Sequence, residues 1–246
     1  MAEIQIVKAN VEIPIFNIKN RSLKSSLLSY TFGKKIKDHK GRNLSVMALN
    51  NINLRISDGD RVGIIGDNGA GKSSLLRLIS GAYYPTSGLL DIKGRITSLI
   101  NLSCGVDYEA TGRENIFIRS ALLGFKKKEV EFYLDKIIEF SELGKFIDMP
   151  FRTYSSGMQL RLLFSICIMV QPEILLMDEW LAIGDESFKI KAESYLRNLI
   201  NETKIFVIAS HSQEIIKNLC NRVIWIENGQ IIMDESSEKV CDAYFK

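Results

Sequence analysis

Residues 66–73 have a spacing of glycine, lysine and serine that can bind phosphate. Their sequence, GDNGAGKS, fits the pattern G-x-x-x-x-G-K-[ST]. In that pattern glycines let backbone N–H groups surround phosphate oxygens, the lysine supplies a positive charge, and the serine hydroxyl can ligate Mg²⁺. The predicted binding residues are Gly66, Asp67, Asn68, Gly69, Ala70, Gly71, Lys72, Ser73 and Ser74.

Three further polar residues follow short apolar runs and can complete a hydrolytic site. Asp178 offers the oxygen ligand that Mg²⁺ prefers. Glu179 can orient or deprotonate an attacking water, and His211 can hydrogen-bond a terminal phosphate. Alone, the acids would be a helix N-cap and the histidine structural. Together with Lys72 they predict phosphoryl transfer to water.

A second candidate anion site lies at the start of a helix predicted for residues 159–170. The preceding sequence, YSSGM, is polar and leaves backbone N–H groups at the helix N-terminus, where negative charge is favoured. Its candidate binding residues are Ser155, Ser156 and Gly157.

These residues need a parallel sheet to position them. The runs 61–65, 173–177 and 204–210 read as buried strands separated by helical patterns, which indicates parallel strands with crossover helices. In open α/β sheets, ligands bind beyond the carboxyl ends of the strands. Alternating apolar residues near the N-terminus predict further strands, and Asn228-Gly229 predicts a hairpin.

Composition restricts the class of protein. A chain of 246 residues with 46% hydrophobic and 25% charged residues is typical of one large soluble domain. No run reaches the roughly 18 apolar residues of a membrane span, and the N-terminus does not read as a secretory signal, which predicts cytoplasmic residence. The four cysteines form no C-x-x-C pair. A net charge of +3 gives no strong nucleic-acid signal.

Positive charge is concentrated in residues 19–42. This segment has eight Lys or Arg residues and one acid. Two interpretations remain open: a solvated loop with a small helical piece, or a basic amphipathic element against anionic lipid headgroups or a membrane partner.

Five motifs in order resemble the ATP-binding subunits of ABC transporters, over nearly the whole chain. Residues 66–73 are similar to Walker A, 174–179 (ILLMDE) to Walker B with its catalytic glutamate, and 154–158 to the signature motif. Residues 182–185, which end in Asp185, are similar to the D-loop, and His211 to the switch histidine.

The resemblance implies the fold, the cofactors and the residue roles. The expected fold is the α/β P-loop NTPase fold of ABC ATPases, with a RecA-like parallel-sheet core, an N-terminal antiparallel β-subdomain and an inserted α-helical subdomain at 101–159, in a single domain 1–246. ATP and Mg²⁺ are the implied cofactors. Head-to-tail homodimers would hold two ATP, each between Walker A of one chain and the signature of the other. The implied catalytic residues are Lys72, Glu179 and His211, and the metal ligands are Ser73 and Asp178.

Departures from the usual motifs indicate a branch of the family. Compared with the usual signature L-S-G-G-Q, Ser156 replaces the first glycine and Met158 replaces the glutamine. A second glutamine, normally expected after the strand near Ile100, is absent, and Asn101 is its closest polar substitute. Val46 and Met47 occupy the neighbourhood of the usual adenine-stacking aromatic. With TGREN at 111–115, EWLAIGD at 179–185 and the long segment before Ala48, these features are similar to exporters of bacterial surface polysaccharides.

The expected function is therefore ATP hydrolysis that drives export of a lipid-linked O-antigen-type polysaccharide. Teichoic acid or capsule export is the alternative. A separate integral membrane permease would be the partner, and the chain would lie peripherally on the cytoplasmic face of the inner membrane. No C-terminal carbohydrate-binding domain is expected, because the chain ends soon after the last hairpin. A P-loop kinase would not need YSSGM or Glu179, and a nonhydrolytic scaffold would not need Lys72, Asp178 and Glu179.

Residues 101–125 are predicted to couple nucleotide binding to the permease. An irregular, glycine-containing lead-in precedes the helix opened by TGREN, and loops on a rigid scaffold often carry function. The apolar contact surface is predicted to comprise Cys104, Val106, Ile116, Phe117 and Ile118. A core helix would show similar hydrophobic residues, so that alternative stays open for Ile116 and Phe117.

Overall fold

The structure, a computed structural model, describes residues 1–15, 36–39, 43–100, 102–169, 172–179 and 186–245. Asn101, Asp185 with the rest of the predicted D-loop, and most of the basic segment 19–42 lie outside these residues. The described strands are β1 (Glu3–Ile15), β2 (Ile36–His39), β3 (Asn43–Ser57), β4 (Arg61–Ile65), β5 (Ser87–Lys93), β6 (Ile96–Ser98), β7 (Ile174–Asp178), β8 (Ile205–Ala209), β9 (Arg222–Glu227) and β10 (Gln230–Ser236). The described α-helices are α1 (Lys72–Ile79), α2 (Gly112–Leu122), α3 (Lys127–Ser141), α4 (Ser156–Met169), α5 (Glu186–Glu202), α6 (Gln213–Leu219) and α7 (Ser237–Tyr244).

The chain divides into two compact units. The first comprises residues 1–94 and 207–246, and the second comprises residues 95–206. In the part of the chain that the structure describes, no helix combines the length and the apolar character needed to cross a membrane.

The first unit contains an antiparallel sheet with the strand order β2-β3-β1-β5. In the register of this sheet, Ile4 of β1 lies opposite Ile56 of β3 and Ile92 of β5. Successive side chains of a strand point to opposite faces, so the buried residues Ile4 and Ile6 share one face. The alternation in the N-terminal sequence therefore predicted this sheet correctly.

The strand that leads into residues 66–73, the predicted phosphate-binding loop (here called the phosphate loop), also lies in the first unit. β4 runs parallel to β9, with Ile64 opposite Ile224, and the Ser210 N–H donates to the Ile64 carbonyl at 3.2 Å. The space beside β4 is narrow: a Cβ on Gly63 would lie 2.8 Å from the Ile216 side chain of α6. β9 and β10 form the predicted hairpin.

The second unit combines parallel strands with helices. β6 and β7 are parallel, with Ile96 opposite Ile174. Helices α3, α4 and α5 pack through an aromatic cluster, in which the Phe140 ring centroid lies 5.7 Å from Phe188 and 6.4 Å from Phe164. Such edge and tilted ring contacts add to the stability gained from burial. This core fixes α4, whose N-terminus holds the predicted signature residues.

Candidate functional site

The phosphate loop has the backbone that its glycines predicted. Gly66 and Gly71 have φ values of 145° and 120°, which residues other than glycine rarely adopt. A Cβ on Gly66 would lie 2.1 Å from the Ile226 carbonyl, and one on Gly71 would lie 3.0 Å from the Ala48 carbonyl. Both glycines are required by conformation and by space.

Helix α1 begins at Lys72 with an N-terminus that no side chain caps. Its N-cap, Gly71, makes no side-chain hydrogen bond, and its first turn contains no acid. First-turn N–H groups and the helix dipole favour an anion at such an end. Ser73 and Ser74 are half-buried in the first turn, whereas Asn68 and Gly69 are exposed in the loop.

Lys72 and His211 lie next to each other in the first unit. Lys72 is 7% exposed, and its Nζ donates to the carbonyls of Gly66 at 2.7 Å and Asp67 at 3.1 Å. The same Nζ lies 3.1 Å from His211 Nε2. A protonated lysine only donates, so this contact assigns Nε2 as an acceptor and places the imidazole proton on Nδ1. Two predicted catalytic residues thus share one hydrogen-bonded cluster.

The hairpin between β9 and β10 braces the phosphate loop. The Gly229 N–H donates to the Ala70 carbonyl at 2.7 Å, and the Gly229 carbonyl accepts from the Asn50 N–H at 2.7 Å. Asn228 and Gly229 have φ values of 50° and 77°, which suit a two-residue hairpin turn. The turn therefore connects the loop to β3 through backbone hydrogen bonds.

Asp178 and Glu179 lie at the end of β7, in the second unit. Asp178 is half-buried and ends the strand, and Glu179 is exposed. Glu179 has φ 66°, in the left-handed region. Left-handed backbone at a residue other than glycine costs about 1–2 kcal/mol. Residues in such uncommon conformations are concentrated at functional sites.

The predicted signature residues lie at the N-terminus of α4. Ser155 Oγ accepts a hydrogen bond from the Met158 N–H at 3.2 Å, so this hydroxyl already caps the helix. Ser155 and Ser156 are exposed and Gly157 is half-buried, with open space around the position of a Cβ except for Ser155 Oγ at 3.9 Å. The end of the helix is accessible to an anion.

The TGREN segment makes its polar contacts within the second unit. Thr111 and Glu114 form a reciprocal capping box at the start of α2. Arg113 pairs with Asp148 through two hydrogen bonds of 2.7 and 3.2 Å. Asn115 is fully buried and exchanges hydrogen bonds with the backbone of Asp107 at 2.8 and 2.9 Å. The segment therefore fixes the preceding loop to α2.

The prediction that Ile116 contributes contact surface is wrong. Ile116 is 0% exposed, because helical spacing places it on the same buried face as Arg119 and Ser120. Cys104 is exposed, and Val106, Phe117 and Ile118 are half-buried, so they keep accessible surface.

Neither of the two described residues predicted to lie near adenine, Val46 and Met47, offers an aromatic ring for stacking. Met47 is 9% exposed and Val46 is half-buried. The structure therefore identifies no replacement aromatic at this position.

Sequence reasoning missed two residues that contact the site or its surroundings. Tyr244, at the end of α7, donates its hydroxyl to the Asp67 carboxylate at 3.0 Å. Arg119 is 5% exposed; it donates to the Cys104 carbonyl, and its Nη2 lies 3.7 Å from Cys167 Sγ. All three contacts join residues at least 15 positions apart in the sequence, and none of them has a local motif.

Three of the four cysteines are buried. Burial raises the pKa of Cys220 to about 12, and it also raises the pKa values of Cys167 and Cys241. Cys104 is exposed. No group of three or more His, Cys, Asp or Glu side chains among the described residues could hold a metal ion. Mg²⁺ needs no such group, since it keeps several waters, and each of the two predicted ligands, Ser73 and Asp178, carries a hard oxygen donor.

Comparison with solved structures supports the fold. A dimeric structure of the ATP-binding cassette MJ0796, in a post-hydrolysis state with ADP and Pi, matches with a TM-score of 0.67 at 18% identity. The match covers 95% of this chain and 98% of that one. The predicted α/β fold of ABC ATPases is confirmed.

Sequence comparison identifies relatives at higher identity. The chain is 40% identical to the O-antigen export system ATP-binding protein RfbE of Yersinia enterocolitica, over 97% of this chain and 99% of that protein. It is 43% identical to the teichoic acids export ATP-binding protein TagH of Lactococcus lactis, over 81% of this chain and 42% of that protein. The family model described as ABC transporter matches residues 49–182. The resemblance inferred from the five motifs is thereby confirmed, and the chain belongs to the ABC transporter family.

Proposed function

We propose that this chain is the ATP-hydrolysing subunit of an exporter for a lipid-linked O-antigen-type polysaccharide. The observation that carries the ATPase part is the position of Lys72, whose ammonium lies within a glycine loop at the open end of α1, 3.1 Å from His211. The full-length similarity to an O-antigen export ATP-binding protein supports the substrate. Teichoic acid export is the second candidate, favoured by the similarity to TagH. Capsule export is a further alternative that follows from the resemblance alone.

In the proposed site, Lys72 and the N–H groups of the loop and α1 bind the β- and γ-phosphates. The loop is preformed by Gly66 and Gly71, so little backbone conformational entropy is lost on binding. His211 Nδ1–H is the donor left for a phosphate oxygen while Nε2 faces Lys72. Ser73 and Asp178 would hold Mg²⁺, which neutralises phosphate charge when bound.

Glu179 is the proposed base for the attacking water. Glu179 and Lys72 belong to different units, so their assignment to one nucleotide rests on the family resemblance. A positioned base contributes about 10²–10⁴-fold to such a reaction. Ser155, Ser156 and Gly157 would cover the ATP of a second copy, and Asn101 and Asp185 would complete the site by the same resemblance.

Hydrolysis would be coupled to a membrane permease that carries the polysaccharide. The chain would lie peripherally at the cytoplasmic face of the inner membrane. Residues 101–159 form the proposed helical subdomain, and the loop within 102–110 is the proposed contact with the permease.

Phosphate release from ATP without any acceptor tests the reaction. The wild-type chain should release phosphate. Glu179→Gln should still bind ATP, but its rate of hydrolysis should fall by about 10²-fold or more, because the base is lost. Glu131→Gln is the matched control, since Glu131 is exposed and its ion pair with Lys127 is a surface contact.

A Glu179→Gln rate within about twofold of wild type would contradict the assignment. Phosphate transfer only to an added acceptor would instead indicate a kinase. Export is tested by complementing a strain that lacks the homologous exporter ATPase, with its cognate permease present, and probing surface O-antigen. Loss of ATPase activity without loss of surface polysaccharide would contradict the proposed coupling.

A further inference from the structure

Tyr244 connects the last described helix to the phosphate loop. Its hydroxyl donates to Asp67 Oδ1 at 3.0 Å, across 177 residues of sequence. The Tyr244 ring makes edge contacts with Trp225 and Phe245, at centroid distances of 5.4 and 4.9 Å. These contacts restrict the ring, so the hydroxyl is presented to Asp67 from a fixed position.

Helix α7 is itself firmly anchored in the first unit. Val240 and Cys241 are 0% exposed, and Asp242 pairs with Lys217 of α6 at 3.2 Å. The Phe245 N–H donates to the Cys241 carbonyl at 2.9 Å, which extends the helical hydrogen bonding past Tyr244. Tyr244 is therefore a fixed support for the loop.

Asp67 forms hydrogen bonds with both Tyr244 and Lys72, the proposed phosphate-binding lysine. Its carbonyl accepts from Lys72 Nζ at 3.1 Å, while its carboxylate accepts from Tyr244. Asp67 follows Gly66 directly, so its carboxylate is a negative charge within a loop whose proposed ligand is a polyanion. Like charges a few ångströms apart repel, and a side chain that turned toward the phosphates would weaken their binding.

We propose that Tyr244 is a positioning residue for nucleotide binding, which holds the Asp67 carboxylate on the side of α7 and away from the phosphates. This inference rests on the proposed binding of ATP. Burial, together with the hydrogen bond to Asp67, raises the pKa of Tyr244, so the phenol keeps its proton and remains a donor at physiological pH. The hydroxyl then compensates a charge that the loop would otherwise present to its ligand.

The test is a double-mutant cycle on ATP affinity. Tyr244→Phe removes the hydroxyl and keeps the ring, and it should raise the Kd and KM for ATP about two- to tenfold, with a much smaller change in kcat. Asp67→Asn should bind ATP at least as tightly as the wild type, because the repelling charge is gone. In the Asp67→Asn background, Tyr244→Phe should change Kd by less than about twofold.

Tyr84→Phe is the matched control, since Tyr84 is 86% exposed in the same unit, and its Kd should equal that of the wild type. Calorimetric titration gives the affinities, and thermal unfolding checks that the variants fold. An unchanged Kd in Tyr244→Phe would overturn the inference. So would an equal loss of affinity in both backgrounds, because a purely structural role would not depend on the Asp67 charge.

The same ATP titrations distinguish a failure of the proposed function from a failure of this inference alone. If the wild type and Lys72→Ala both show no ATP binding, ATP is not the ligand and both proposals are overturned. If the wild type binds, Lys72→Ala does not, and Tyr244→Phe equals the wild type, only the inference is overturned.

Discussion

The backbone angle of Glu179, the proposed catalytic base, sets the direction in which its carboxylate leaves the strand. β7 ends at Asp178, and Glu179 leaves the strand with φ 66°. In a continuing strand, two adjacent side chains would point to opposite faces of the sheet. The left-handed turn breaks that alternation directly after the proposed metal ligand, so the direction of the second carboxylate is set by the turn and not by the strand.

The strain at this position predicts an order of stability among inactive variants. Glu179→Gly should unfold at a higher denaturant concentration than Glu179→Ala, with a difference of about 1 kcal/mol, because alanine pays the left-handed penalty and glycine does not. Both variants should lack ATPase activity above background. Chemical denaturation followed by circular dichroism measures the difference. Equal midpoints, or a more stable alanine variant, would show that the turn is not strained.

At the residue scale, sequence spacing was enough to predict roles for Lys72, Asp178, Glu179 and His211, because such chemistry is tied to short motifs. It could not identify Tyr244, whose partner Asp67 lies 177 residues away. The left-handed angle at Glu179 was equally inaccessible, since nothing in a glutamate side chain signals a positive φ.

At the scale of elements, the loop before α2 is held at two points. The Cys104 carbonyl accepts from the buried guanidinium of Arg119, and Asp107 exchanges backbone hydrogen bonds with Asn115. Between these anchors lie Gly105, with φ 74°, and Val106. A loop fixed in this way can present a defined surface, which is what docking to a permease requires.

Val106→Asp tests this surface. The half-buried side chain lies between the two anchors, so a charge there should prevent assembly with the permease and abolish export, while ATP hydrolysis by the isolated chain stays within about twofold. Ile232→Asp is the control, because Ile232 is 52% exposed on β10, outside this loop. Co-purification with the permease and surface O-antigen are the measurements. Normal export by a stably expressed Val106→Asp variant would place the coupling surface elsewhere.

Elements with local signals were predictable. The capping box of Thr111 and Glu114 fixed the start of α2, and Asn228-Gly229 fixed the hairpin. The burial of Ile116 was not decided by sequence, because a docking helix and a core helix have the same periodicity. Only the packing of α2 against its neighbours distinguishes them.

At the scale of the whole molecule, the chain should pair with a second copy when ATP is bound. Ser155 and Gly157 lie at an accessible helix N-terminus, and by the family resemblance they face the ATP of the partner chain. Glu179→Gln with ATP and Mg²⁺ should therefore form a two-fold dimer, whereas the chain without nucleotide should be mainly monomeric. Multi-angle light scattering measures the mass.

The double variant Lys72→Ala, Glu179→Gln is the control and should stay monomeric with ATP, because it lacks the phosphate-binding charge. A monomer at high concentration and saturating ATP, with and without the permease, would contradict the dimer. The sequence predicted the fold at this scale from the order of five motifs.

The distribution of thiols makes the unmodified chain a protein with a single labelling site. Cys167, Cys220 and Cys241 are buried, and burial raises their pKa values. A maleimide therefore cannot reach these three thiols, which also stay protonated and unreactive. Cys104 is exposed, two residues before Val106. Mass spectrometry should therefore find one fluorophore per folded chain and four adducts per chain in denaturant. A dye on Cys104 would report directly on contacts that the loop makes when a membrane partner binds.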